Sequence, residues 1–272
     1  MNTPLLIDSF KCYAPELAYQ NENFPHHMFD LLASLEENNF WFKARNTILH
    51  HLFEKYIGKN NHKQVLEIGC GNGYVLRALQ DLNYHLIGSE IYLDGLKNVR
   101  KRLPHIELIQ LDARHMPFEN QLDAIGAFDV IEHIEEDHLV MQQVYKALKP
   151  NGYFLITVPQ YLWMWSYLDD YAKHKRRYTQ KELKNKLQQA GFQIEFISSF
   201  VTILFPFVYL SRLLKKNKPL EQVTIEDVIQ EFKIPSWLNK LFYQLMLIDT
   251  WFIKQGIPLP FGNSLVVVAK KP

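Results

Sequence analysis

Glu67, Gly69, Gly71 and Gly73 stand at alternating positions after a short apolar run, and their types and spacing specify a ligand loop. Glycines let a backbone turn sharply and let a ligand approach with no Cβ in the way. The pattern is E-x-G-x-G-x-G; where the dinucleotide fingerprint G-x-G-x-x-G has its third glycine, this chain has Tyr74. A carboxylate suits a pyrophosphate at a helix N-terminus badly, whereas a ligand carrying an ammonium group tolerates Glu67. Glu90 follows about 20 residues beyond the glycines, a distance at which an acidic side chain accepts hydrogen bonds from ribose hydroxyls. A helix-capping acid is the plainer reading, but spacing and strand-end position agree on the ribose. Farther along, His133 offers a general base that titrates near neutral pH. Helix capping and loop packing account for Glu132 and His133 equally well. His174, Arg177 and Tyr178 close a stretch dense in aromatic and basic residues, 163–179, which suits substrate contact or a solvated basic loop.

Strands must end where these residues stand. Val65, Leu66 and Ile68 form an apolar run of the kind a strand covered on both faces needs, and Val75, Leu76 and Leu79 give the next helix its buried side. Further strands are expected at 85–90, 106–111, 122–128, 153–158, 192–197 and 264–269, with helices at 93–102, 136–148 and after Thr179, whose capping box is completed by Glu182. Alternating strands and helices predict an α/β fold: a doubly wound, Rossmann-like, mostly parallel seven-stranded sheet with helices on both faces. Ligands of such sheets lie at the carboxyl ends of the strands, where Gly69, Glu90, Asp112 and Phe128 all fall. Asp112 there suits an adenine amino group or a turn cap.

Four segments follow from this pattern. Residues 1–62 are read as an N-terminal helical cap, irregular as far as about residue 25 because of Pro4, Pro15 and Pro25, then helical from Asn38, with Trp41, Ala44, Ile48, Leu52 and Tyr56 at helical spacing. Residues 63–199 form the ligand-binding core, 200–263 an apolar helical insertion and 264–272 the last strand of the core. The insertion holds two apolar runs, 201–214, interrupted by Pro206 and followed by Lys215, Lys216 and Lys218, and 237–253. Neither reaches the roughly 20 residues of a membrane span. Packing onto the core is one reading; a lipid-linked substrate or shallow membrane contact through 201–256 is the other.

The strand-loop-helix of 65–79 resembles motif I of the class I S-adenosylmethionine (SAM)-dependent methyltransferases, whose ligand has a zwitterionic end and no phosphate. The segment F-W-F-K-A-R at 40–45, the passage F-D-V-I-E-H-I followed by L-K-P-N-G-Y-F-L-I-T-V-P, and the H-x-R-R-Y-T element at 174–179 are similar to segments of one group of small-molecule methyltransferases. The resemblance covers about 40–191. It implies that SAM is the cofactor, held by Glu67, Gly69, Gly71, Gly73, Glu90 and Ile91. It further implies Arg45 on the SAM carboxylate, Asp112 on the adenine amino group with Ala113 offering a backbone contact, and Phe128 and Asp129 as ligand walls. For a reaction that needs a base it leaves His133, His174 or Tyr178. No metal is demanded: Asp112, His115, Asp129, His133 and His138 are scattered and show no compact ligand spacing. The implied activity is methyl transfer to a small-molecule, lipid-linked or saccharide acceptor.

Composition narrows the remaining classes. A net charge of +1 gives no footprint for nucleic acid. Two cysteines, one inside the glycine turn, fit a reducing cytoplasm, and the first residues lack the basic-then-apolar order of a signal peptide. A dehydrogenase is disfavoured by Tyr74 and Glu67. A methyltransferase-like scaffold is disfavoured by the intact ligand set, which speaks for binding without proving turnover.

Overall fold

The computed structural model describes residues 3–19, 26–215 and 223–272. Among them the strands are β1 (Leu5–Ile7), β2 (Phe10–Cys12), β3 (Gln64–Ile68), β4 (His85–Glu90), β5 (Glu107–Gln110), β6 (Leu122–Phe128), β7 (Leu148–Pro159), β8 (Gln193–Phe200) and β9 (Ser264–Lys270). They make a single sheet in the order β1-β2-β5-β4-β3-β6-β7-β9-β8. From β5 to β7 all pairing is parallel, and β9 runs antiparallel between β7 and β8. The chain winds from β3 outward through β4 and β5, then returns to the other side of β3 with β6. That reversal opens a crevice at the carboxyl ends of β3, β4 and β6.

Strand side chains alternate between two cores. Val266 and Val268 of β9 join Val65, Leu86 and Leu108 on one face, beneath helices α2 (Phe40–Tyr56), α3 (Tyr74–Ala78) and α4 (Leu93–Arg102). Leu265, Val267 and Ala269 join Leu66, Ile87 and Ile125 on the other, beneath α5 (Asp137–Ala147) and α7 (Gln180–Gln189). This period of two is what a sheet covered on both faces requires.

The seven expected strands are present, and residues 5–12 correct the expectation of an irregular start. β1 and β2 form an antiparallel hairpin, and β2 extends the sheet beside β5. Its two-residue turn is Asp8-Ser9, both at positive φ (48° and 68°), a shape usually signalled by glycine or asparagine and disguised here. Before α2 lies α1 (His26–Glu36).

The insertion contains α8 (Phe205–Lys215), α9 (Ile225–Phe232) and α10 (Ser236–Lys254). Pro206 starts α8 instead of interrupting it, since a first-turn proline lacks only an N–H that would be unpaired anyway. α10 lies on α2: Asn239 accepts from the Phe40 N–H at 2.9 Å and donates to the Asn38 carbonyl at 2.7 Å, and Phe242 meets Phe40 edge to face. Asp249, fully buried on α10, accepts from the Thr202 and Ile203 N–H groups and so joins α10 to the end of β8. Among the described residues no helix is long and apolar enough to cross a membrane. Both cysteines are free and buried.

Candidate functional site

The loop after β3 is built from three glycines with positive φ: 64° at Gly69, 51° at Gly71 and 75° at Gly73. Two of them do different work. A Cβ on Gly69 would stand 2.6 Å from a Val130 methyl, so this glycine lets the loop seat against the end of β6. A Cβ on Gly71 would meet nothing within 4 Å, so this position borders open space. The loop is fastened to β4 by the Cys70 N–H on the Ser89 carbonyl, 2.9 Å, and to α1 by Asn72, which donates to the Phe29 carbonyl at 2.7 Å.

Glu90 ends β4 beside this open position. Its carboxylate accepts from the Gly71 N–H at 3.1 Å and from the Ile91 N–H at 2.8 Å. Burial raises its pKa, and those backbone donors partly restore the charged form. Gly95 in the first turn of α4 makes room: a Cβ there would come within 3.0 Å of the Glu90 side chain and 3.1 Å of the Gly71 carbonyl. Sequence reading passed over Gly95, whose role depends on a contact between α4 and the loop.

Glu67 lies in β3 between Gly88 of β4 and Gly126 of β6. It is buried, and its Oε2 has no hydrogen-bond partner. Burial pushes its pKa well above the usual carboxylate range, with Arg45 opposing and Glu36 and Glu90 reinforcing. An orphaned buried carboxylate oxygen near an open glycine position is chemically what a ligand ammonium would complete. The residues present therefore fit the SAM expected from the sequence.

Around this centre several expected contacts are reassigned. Arg45 Nη1 is bound to Asp129 Oδ2 at 2.5 Å, with its guanidinium over the Trp41 ring; its first partner is thus a carboxylate of the protein. Asp129, at φ 57°, also accepts from Thr157 Oγ1 at 2.9 Å, so the pair braces the turn after β6. Phe128, expected at the ligand wall, turns its ring into the core. The ring folds back over Gly126 and meets Phe53 of α2, inside the core. Asp112 is a turn cap and ion-pair partner: Arg114 grips both of its oxygens, from Nε at 3.1 Å and from Nη2 at 2.9 Å, and the Arg114 backbone N–H adds a further bond. Burial disfavours its charge, but Arg114 more than compensates and lowers its pKa. Ala113 is buried, and the half-buried Ile91 receives at its carbonyl a bond from Gln110 Nε2.

The proposed bases lie on the far side of that turn. Tyr178 is fully buried and donates to Asp137 Oδ2 at 2.8 Å, which corrects its assignment as a substrate contact. Burial and the Asp137 charge push its phenol far up, so it stays protonated. His174 presents Nδ1 to Asp169 Oδ1 at 2.9 Å, and Arg177 holds Asp169 from Nε at 2.7 Å and Nη2 at 3.1 Å. Asp169 also completes the capping box of α6 (Tyr167–Tyr171). The His133 and His174 rings stand edge to face, centroids 4.6 Å apart. Burial, aided by His174, pushes the His133 imidazole down to about 3, which makes it a weak proton acceptor and corrects the expectation of a base poised near neutrality. Glu132, which the sequence left between a capping and a catalytic role, is fully buried, with neither carboxylate oxygen partnered.

A family model described as a methyltransferase domain matches residues 27–196. A probable S-adenosylmethionine-dependent methyltransferase of Mycolicibacterium smegmatis is 27% identical over 167 residues, which span 60% of this chain and 63% of the relative. A phthiotriol/phenolphthiotriol dimycocerosates methyltransferase of Mycobacterium tuberculosis is 33% identical over 104 residues, 34% of this chain and 36% of the relative. The matches thus cover less than two thirds of these relatives' own lengths. Among solved structures, Haemonchus contortus phosphoethanolamine N-methyltransferase 2 in complex with SAM superposes with a TM-score of 0.60 at 19% identity, over 93% of this chain and 59% of that one. The [4+2]-cyclase SpnF gives 0.58 at 18%, over 91% and 94%. At such identities the likeness is one of fold, and the cyclase shows that the fold alone does not name a reaction. The model's span, more than half of this chain, together with the shared fold, places the protein in the class I SAM-dependent methyltransferase family.

Proposed function

We propose that the protein is a SAM-dependent methyltransferase acting on an acceptor with an apolar, lipid-like part. The observation that carries the cofactor half is the Glu90 carboxylate bound to the Gly71 N–H, with open space where a Gly71 Cβ would stand and a buried, orphaned Glu67 oxygen in β3. Bound there, SAM would supply a methyl group already activated on a sulfonium. The chain contributes placement and dryness. Glu90 would accept from the ribose hydroxyls, Glu67 would hold the ammonium, and the Arg45–Asp129 pair would keep the wall after β6 in position.

The acceptor half rests on exposed apolar surface. Trp237, Leu241, Ile248 and Trp251 form one exposed stripe along α10, opposite its buried Met246, Thr250 and Ile253. Phe207, Leu210 and Leu213 are exposed on α8, and Leu162 and Trp163 on the loop after β7. Lys233, Lys240 and Lys254 are exposed on or next to α10. Aromatic residues interleaved with lysines suit the interface of an anionic membrane, where a lipid-linked acceptor would be met. The mycobacterial dimycocerosates methyltransferase supports an acceptor of this kind.

Two results are expected. Glu90→Ala should weaken SAM and S-adenosylhomocysteine binding about tenfold or more by calorimetric titration, with no change in circular dichroism. Unchanged affinity would remove Glu90 from the ribose, and binding of NAD instead of SAM would overturn the reading as a whole. The intact protein should co-sediment with anionic vesicles, and the double change Trp237→Ala, Trp251→Ala should reduce the bound fraction severalfold; equal sedimentation of both would leave the acceptor a soluble molecule.

A further inference from the structure

We propose that Glu132, His133 and His174 form a site for a divalent transition-metal ion of the zinc class, with a coordination position left for an oxygen of the methyl acceptor. This rests on the methyltransferase reading for its role but on independent geometry for its existence. One ligand atom from each of the three residues can be chosen so that all lie within 4.8 Å of one another. The two imidazole rings are nearly perpendicular, 80° apart, and the carboxylate stands with them.

Glu132 is the strongest pointer. It is fully buried with both oxygens unpartnered, an arrangement that native interiors avoid unless something completes it. The Arg177 and Arg45 guanidinium groups attract it but make their hydrogen bonds elsewhere. Arg177 spends Nε and Nη2 on Asp169 and Nη1 on the Gln160 carbonyl, and Arg45 directs Nη1 to Asp129. A cation at the meeting point of Glu132 and the two histidines would neutralise the carboxylate.

The surroundings are those of metal-binding histidines, whose second ring nitrogen is held by a carboxylate or a backbone group. His174 engages Asp169 through Nδ1, so Nε2 is the nitrogen it would offer an ion, and Asp169 is fixed by Arg177. His133 has the Ala172 backbone within hydrogen-bonding reach. The two segments that supply the ligands are tied together: the Lys175 N–H donates to the Glu132 carbonyl at 2.7 Å, and Arg176 donates to the carbonyls of Ile134 and Glu135 at 2.8 and 2.9 Å. The site is therefore assembled before any ion arrives.

Two imidazoles and one carboxylate, with a position left over, match the donor set of catalytic zinc sites. The turn that carries Glu132 and His133 follows Asp129 at the end of β6, next to the crevice. A hydroxyl of the acceptor coordinated there would release its proton to water. Its oxygen would form the C–O bond while the C–S bond breaks, the electron pair remaining on sulfur as the sulfonium becomes a thioether. His133 would then serve as a ligand.

The test is titration of the chelator-treated full-length protein with Zn2+ by calorimetry and with Co2+ by visible absorption. One ion per chain is expected, with a cobalt spectrum of mixed nitrogen and oxygen ligation. Glu132→Gln and His174→Ala should each weaken binding at least tenfold while retaining S-adenosylhomocysteine affinity. His115→Ala and His138→Ala, at exposed histidines outside the cluster, should leave metal binding unchanged. No stoichiometric binding of either ion, or binding that survives Glu132→Gln combined with His174→Ala, would overturn the proposal. Loss of SAM binding with metal binding intact would instead refute the methyltransferase reading.

Discussion

Glu67→Gln is expected to raise the melting temperature of the ligand-free protein while weakening SAM binding tenfold or more. The carboxyl is buried with Oε2 unpartnered, and burial raises its pKa well above the unfolded value of 4.5. The sign follows from proton counting. Below about pH 4.5 both folded and unfolded chains hold the proton, and Glu67 costs nothing. Between 4.5 and the raised folded value, the fold retains a proton that the unfolded chain has released, so stability falls as pH rises. Glutamine titrates nowhere. The gap in melting temperature between variant and parent should be near zero at pH 4.5 and widen towards pH 8, at roughly 2–4 °C per kcal/mol for a chain of this size. SAM binding should move the opposite way, because a charged partner for the ligand ammonium is worth about 1.5–3 kcal/mol and the amide supplies less. A gap that stays constant with pH would show that Glu67 is already ionised without ligand.

The second large effect separates two glycines of one loop. Gly69→Ala forces a methyl group to 2.6 Å from Val130 at a positive φ, so packing and backbone both resist it. A loss of about 2–4 kcal/mol in stability is expected, seen as a clear drop in melting temperature. Gly71→Ala meets only the left-handed backbone cost of about 1–2 kcal/mol. Its methyl group, however, enters the open space beside Glu90, and SAM affinity should fall more than tenfold in titration. Gly71→Ala with parental SAM affinity would mean that the cofactor takes another path.

Much of this was legible in the residues. The glycine loop, the two acids Glu67 and Glu90 and the seven core strands could be read because backbone turns and strand ends depend on local sequence. What stayed hidden depended on distant partners. Asp112 looked available until Arg114 was seen to grip it, and Arg45 until Asp129 did. Phe128 sits at a strand end, as expected, but its ring direction was decided by the gap above Gly126. Tyr178 stood in an aromatic, basic stretch that looked exposed, and only the fold sinks it against Asp137. His174 and Glu132 are 42 positions apart, so no spacing rule could join them, whereas the Lys175 and Arg176 contacts do. α9 begins at a Thr224–Asp227 capping box, a local signal that was present and passed over.

The place of β9 carries a consequence for how the chain matures. β9 lies inside the sheet, between β7 and β8, although it comes last and the whole of α8, α9 and α10 precedes it. While the chain emerges from a ribosome, β7 and β8 have no strand to pair with on those sides until Ser264–Lys270 appears. Both expose hydrogen-bonding edges in the meantime, the condition under which nascent sheets stick to one another. Closing that gap is a long-range step and so a slow one. Chaperone demand should accordingly rise between the synthesis of β8 and that of β9, and a stop codon just before Ser264 should yield aggregate in a solubility assay.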